Sequence, residues 1–170
     1  MLAWPEGYVS AAGAWYDKFF SINGKYRVGH SAAVLINSKE GKAYYFDFGR
    51  YHTPKGYGRV RDEETDPDLA LPSVNIKSDK IVNLNDILVF LSKLKSTHGE
   101  GRLYASVLSE VSFFDAHNYA KKLQNKGMLK YGPFVYGGTN CSRFTASLAI
   151  SSLPPFLKKI RLRFPFCISP

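Results

Sequence analysis

The sequence predicts an α+β fold, a mainly antiparallel sheet packed against helices, in a single domain spanning residues 1–170. Three observations carry this expectation. Two extended runs, residues 26–37 and 43–48, flank the polar turn Asn37-Ser38-Lys39-Glu40-Gly41-Lys42, and so read as a hairpin. Three later segments combine apolar spacing with caps and stops, as helices do. With 45% hydrophobic and 22% charged residues over 170 positions, the chain buries a core and is not disordered.

Taken in order, residues 7–20 read as a short helix, with Trp15, Phe19 and Phe20 on one apolar face and Gly24 as its end. The hairpin follows. Residues 49–72 carry Gly49, Pro54, Gly56, Gly58, Pro67 and Pro72 plus an acidic cluster, and read as a long loop or flap. Residues 73–77 predict a strand. A helix capped by Asn83 or Asn85 runs to about Lys95, with Ile87, Leu88, Leu91 and Leu94 on one face. Residues 98–101 break it, and residues 103–111 read as a strand. A helix over 114–126 stops at Gly127. The last helix starts at Thr139 or Asn140, contains Cys141, and ends near Ser151 before Pro154-Pro155. Residues 158–170 form a basic tail in which Ile160, Leu162 and Phe164 alternate with Lys159, Arg161 and Arg163, a pattern that suits a half-exposed strand.

Charge and cysteine content exclude several classes. The net charge is +9, but four of those charges lie within residues 158–163, and the remainder is a mild bias. A solvated surface explains it, and nucleic acid is not an expected partner. Two cysteines, Cys141 and Cys167, are too few for a disulfide scaffold or a four-cysteine zinc site. No signal peptide and no membrane-spanning stretch is evident, so a cytoplasmic location without membrane insertion is expected.

Two positions have a local reason to carry chemistry. The segment Tyr136-Gly137-Gly138-Thr139-Asn140-Cys141-Ser142-Arg143-Phe144 places the Cys141 thiol in the first turn of a helix. There the helix dipole and unpaired N–H groups favour the thiolate and can hold an oxyanion. The alternative is an inert buried thiol. His30 lies in a run of small and apolar strand residues and shares a face with Ala32, Val34 and Ile36. It reads either as a core histidine or as the base for Cys141. Register supplies a third residue. If Asn37 pairs with Lys42, Ala32 faces Asp47, and Asp47 lies on the face of His30, one diagonal step away. His52 is the rival third member, and a solvent-facing Asp47 is the bland alternative.

A strand histidine in Gly29-His30-Ser31-Ala32-Ala33-Val34, followed about 110 residues later by a helix-start cysteine in Thr139-Asn140-Cys141-Ser142-Arg143-Phe144, resembles the circularly permuted papain-like thiol hydrolases. These include permuted NlpC/P60-type proteins, lecithin:retinol acyltransferase-like proteins and PPPDE peptidases. The text around Cys141 is most like the PPPDE group. The run from Tyr45 to His52 and from Arg59 to Asp66 resembles an uncharacterised family of Bacteroidetes proteins. The resemblance implies a papain-like fold and a Cys141–His30 dyad with a polar third residue, matched by Asp47. Where the acyltransferase-like proteins carry a second histidine, this chain has Lys42.

The expected activity is therefore a cysteine hydrolase, a peptidase or amidase acting on a peptide, amide or acyl substrate without a cofactor. The rivals are a lipid acyltransferase or thioesterase on the same fold and a non-catalytic binding module. Asn140 and Tyr57 are candidates for the oxyanion site or cleft. Asp62, Glu63, Glu64 and Asp66 lack calcium-loop spacing, no histidine pair has zinc-site spacing, and no metal is expected.

Overall fold

A computed structural model describes residues 1–163 apart from residues 12, 14 and 79. In chain order the elements are β1 (Leu2–Trp4), β2 (Tyr8–Ser10), α1 (Asp17–Phe20), β3 (Lys25–Arg27), β4 (His30–Asn37), β5 (Lys42–Gly49) and β6 (Tyr57–Arg61). They continue with β7 (Ile76–Lys77), β8 (Lys80–Ile81), α2 (Leu84–Lys93), β9 (Tyr104–Ala105), α3 (Phe113–Gln124), β10 (Leu129–Lys130), α4 (Cys141–Ser151) and α5 (Phe156–Arg163). The fold is α+β. Among the described residues the main sheet is antiparallel, in the order β10-β6-β5-β4-β1-β9.

The β4–β5 hairpin has the register read from its turn, with Asn37 opposite Lys42 and Ala32 opposite Asp47. Alternation then gives the sheet two apolar faces. Ala32, Ala43 and Tyr45 pack with Leu2, Trp4, Leu69 and the α2 residues Ile87 and Leu91. Ala33, Phe46, Phe48 and Val60 pack with Ala116 and Ala120 of α3 and Phe144 and Leu148 of α4. The helices on both faces follow from this: each has a stripe that needs an apolar wall, and the hairpin offers one on either side.

Several elements differ from expectation. Residues 7–20 are not one helix. They hold β2, paired with β3, and the single turn α1, and Trp15, Phe19 and Phe20 are exposed. A helix that short has too few hydrogen bonds to offset nucleation unless it is packed. The segment 49–72 is not all loop, because β6 lies within it and pairs with β5. Its Gly58 marks close packing rather than a turn: a Cβ there would come within 2.9 Å of the Gly49 carbonyl oxygen and 2.8 Å of the Phe48 ring. Residues 103–111 and 73–77 form only the two-residue strands β9 and β7, since each finds only a short partner.

The basic tail is helical over Phe156–Arg163 instead of a strand. No sheet edge meets it among the described residues, and a six-residue alternation, whose last member Phe164 lies outside them, does not exclude a helix once Pro155 starts one. Asn140, not Thr139, caps α4. Cys167 lies outside the described residues.

Gly29 sets the approach to β4. Its φ is +64°, its N–H donates to the Gly7 carbonyl at 2.9 Å, and an added Cβ would land on the Trp4 carbonyl oxygen and the Pro5 backbone. Gly29→Ala is expected to cost about 1–3 kcal/mol. The urea midpoint measures it, and an unchanged midpoint would show that the backbone does not need this conformation.

Candidate active site

The site is assembled at the end of a strand. His30 is the first residue of β4, so its ring stands where the sheet stops. Trp4, its partner on β1, stacks on it with ring centroids 5.9 Å apart, and Tyr51 meets it edge-on at 6.3 Å. Helix α4 packs on the opposite face of the sheet through Phe144 and Leu148. Its first residue, Cys141, reaches the strand end from that side. There Ser31 Oγ lies 3.2 Å from Ser142 Oγ, which is also 4.0 Å from Cys141 Sγ, and Ser31 and His30 stand near enough to the thiol to lower its pKa. Ser31 and Ala33, small residues on the helix-facing side, make this approach close. The helix does not lie on the His30 face.

Asp47 stands behind His30. The His30 Nε2 to Asp47 Oδ2 distance is 2.9 Å. That bond leaves Nδ1 as the nitrogen for the thiol. Asp47 is fully buried (0% exposed), and its two oxygens take three further hydrogen bonds. Arg61 donates from Nε to Oδ1 at 3.0 Å and from a terminal nitrogen to Oδ2 at 2.6 Å, and Tyr45 donates its hydroxyl to Oδ2 at 3.1 Å. Arg61 is opposite Asp47 on β6, and its guanidinium lies 3.4 Å from the centre of the Tyr51 ring.

These contacts set the protonation states. Burial alone would raise the Asp47 carboxyl, but the hydrogen bonds and charges of His30 and Arg61 hold it below its ordinary value. Burial works against a charged His30, but the bond to Asp47 and the neighbouring Cys141 thiolate push its pKa up from 6.5 to about 9. Burial would likewise raise the Cys141 thiol, but His30 and the contacts with Ser31 bring it down from 9.0 to about 7. Between those two values the pair is a thiolate and an imidazolium.

The helix start adds donors. Asn140 accepts from the Arg143 N–H with its side chain at 2.8 Å and from the Phe144 N–H with its carbonyl at 2.9 Å. Helix geometry leaves the N–H groups of Cys141 and Ser142 without an intrahelical acceptor. Arg143 fixes the incoming loop by donating to the carbonyls of Gly138 and Pro133, both at 2.8 Å.

Of the sequence candidates, Cys141, His30 and Asp47 are brought together. His52 is exposed in the turn after β5 at φ +53°, and Asp47 occupies the nitrogen it would have served. Asn140 uses its side-chain oxygen as the helix cap. Tyr57 lies on β6 opposite Lys130, and among the described residues no hydrogen bond or ring contact links it to the thiol. The acidic cluster is ion-paired. Asp66 takes two bonds from Arg59, at 2.7 and 2.8 Å, Glu63 pairs with Lys42 at 2.6 Å, and buried Asp62 binds Lys121 and Gln124 of α3. Arg61, Tyr45 and Tyr51 were not legible as site residues. The same register arithmetic applied to β5 and β6 would have placed Arg61, had β6 been recognised.

The class is thus an α+β protein with a thiol–imidazole–carboxylate line at the end of its central hairpin. A family model described as type VI secretion system effector TseH-like matches residues 1–155, and the chain belongs to that family. The matched span includes all three residues of the line. Comparisons with curated proteins and with solved structures give no match. No described helix is long and apolar enough to cross a membrane.

Alkylation of Cys141 by iodoacetamide, located by peptide mapping, is expected to rise through about pH 7. In His30→Ala the transition moves up by more than a unit, because burial then acts on the thiol without an opposing imidazolium. A wild-type transition near pH 9 would contradict the ion pair. Asp47→Ala is expected to cost about 3–5 kcal/mol in urea unfolding, since it strands a buried guanidinium.

Proposed function

We propose that this chain is a cysteine hydrolase of the permuted papain-like kind, cleaving an amide or isopeptide bond in a peptide-like substrate. One observation carries the reading: His30 is hydrogen-bonded to buried Asp47 at 2.9 Å and lies beside Cys141 at the start of α4, with the thiol pulled down and the imidazole pushed up. The chain order, His30 before Asp47 before Cys141, is the reversed order that the resemblance implies. Membership of an effector family is compatible with a hydrolytic role.

The chemistry follows from the geometry. Nδ1 of His30 takes the Sγ proton, while the Nε2 proton stays hydrogen-bonded to Asp47. The thiolate attacks the substrate carbonyl, and a C–S bond forms as the carbonyl π pair moves to oxygen. The N–H groups at the start of α4 face that charge. The tetrahedral species collapses, the C–N bond breaks, and the imidazolium passes its proton to the leaving nitrogen. Water, deprotonated by the now neutral imidazole, then attacks the thioester. The acid is released and the Cys141 sulfur recovers its proton or remains the thiolate partner of His30. Asp47 keeps the ring in one tautomer and orientation throughout.

The test is a panel of peptides, isopeptides and acyl amides, with products read by mass spectrometry. The wild type is expected to release product from at least one class. Cys141→Ala and His30→Ala should each lose roughly three orders of magnitude or more. Hydrolysis by Cys141→Ala at the wild-type rate would overturn the proposal.

A further inference from the structure

The proposed chemistry requires His30 to lose and regain a proton in each cycle, next to a carboxylate with no access to water. That is a demanding arrangement. A buried aspartate whose only counter-ion is an imidazolium becomes an unpaired buried charge when the imidazole is neutral. Such a carboxylate takes up a proton itself and no longer holds the imidazole.

Arg61 answers this constraint. It lies directly across from Asp47 on β6, is 3% exposed, and grips both carboxylate oxygens. The fork fixes the carboxylate plane, and so aims Oδ2 at Nε2 of His30. The rival acid is already engaged, because Asp66 takes the two short bonds from Arg59 and lies 4.0 Å from Arg61. The opposite side of the guanidinium is closed by the Tyr51 ring, which also stacks on His98 at 4.9 Å. Burial works to neutralise Arg61, but the bond to Asp47 keeps it charged.

We propose that Arg61 is a positioning residue that acts as the permanent counter-ion of Asp47, so that His30 exchanges its proton while the carboxylate behind it stays ionised and fixed. This rests on the hydrolase reading of the site. Arg61 acts through Asp47 and His30, and it is not a further nucleophile or acid.

The proton equilibrium of Cys141 reads this without a substrate. The titratable groups that act on it directly are His30 from β4, Tyr51 from the loop after β5 and Tyr131 before α4; behind these stand Tyr45 and Asp47 from β5, Arg61 from β6 and His98 after α2, with Arg50 beside Tyr131. His52 acts on His98. Loss of the Arg61 cation disfavours the thiolate directly. Protonation of Asp47 would do so again, by weakening its hold on imidazolium. Both effects move the Cys141 transition upward.

The experiment measures iodoacetamide alkylation of Cys141 against pH in full-length wild type, Arg61→Met and Arg61→Lys, with folding checked by circular dichroism. The expected result for Arg61→Met is a transition about one pH unit or more above the wild type, which is about fivefold or more slower alkylation at pH 7. Arg61→Lys keeps the charge but loses the fork, and should fall between the two. It also supplies the test if Arg61→Met does not fold. A residue that only stabilises the fold would lower the melting temperature and leave the profile in place. Wild-type profiles in the folded variants would overturn the proposal. A wild type with no transition near pH 7 would instead overturn the reading of the site itself.

Discussion

The structure of the site depends on one constraint: the carboxylate of Asp47 is buried without water and must be satisfied by protein groups. Four hydrogen bonds from three residues converge on its two oxygens. Each donor comes from a different part of the sheet. Tyr45 reaches along the same strand, Arg61 reaches from β6, and His30 reaches diagonally from β4. An unsatisfied carboxylate in this position would be strongly destabilising, so the three strands are held in one register. The imidazole is thereby given a fixed direction.

The Cys141 thiol arrives by another route. Helix α4 is held on the far face of the sheet by Phe144 and Leu148, and its position owes nothing to Asp47. What brings the two halves together is that β4 begins at His30. A helix start on one face and a side chain on the other meet around the strand end, across the small residue Ser31. The mutual pull between thiol and imidazole follows from that meeting. The carboxylate supplies orientation from below, and the helix start supplies donors from above.

The region between β5 and α2 serves the same end. Its acidic residues are ion-paired. Asp62 and Glu64 tie the turn after β6 to Lys121 of α3, Asp66 holds Arg59, and Glu63 pairs with Lys42 at the base of β5. Arg59 and Asp66 also satisfy one another, which leaves Arg61 committed to Asp47. A segment rich in glycine, proline and acid is thus partly a strand with an ion-paired turn. It anchors the residue that neutralises the buried carboxylate.

The sequence by itself determined the local parts of this protein. Period-two alternation and a polar turn set the β4–β5 register, which put Asp47 beside His30. A cap, two glycines and an apolar run put Cys141 at the start of a helix. These features were legible because the residues involved are neighbours in the chain or are linked by a short turn. Only the tertiary structure decided which face carries α4, that β6 adds Arg61 to the site, and that Asp47 rather than His52 meets the imidazole. It also decided that residues 156–163 coil into a helix. The physical reason is the same in each case. Strand pairing and helix docking between distant segments are selected by the burial and hydrogen bonding they achieve together, and no local preference in either segment encodes that sum.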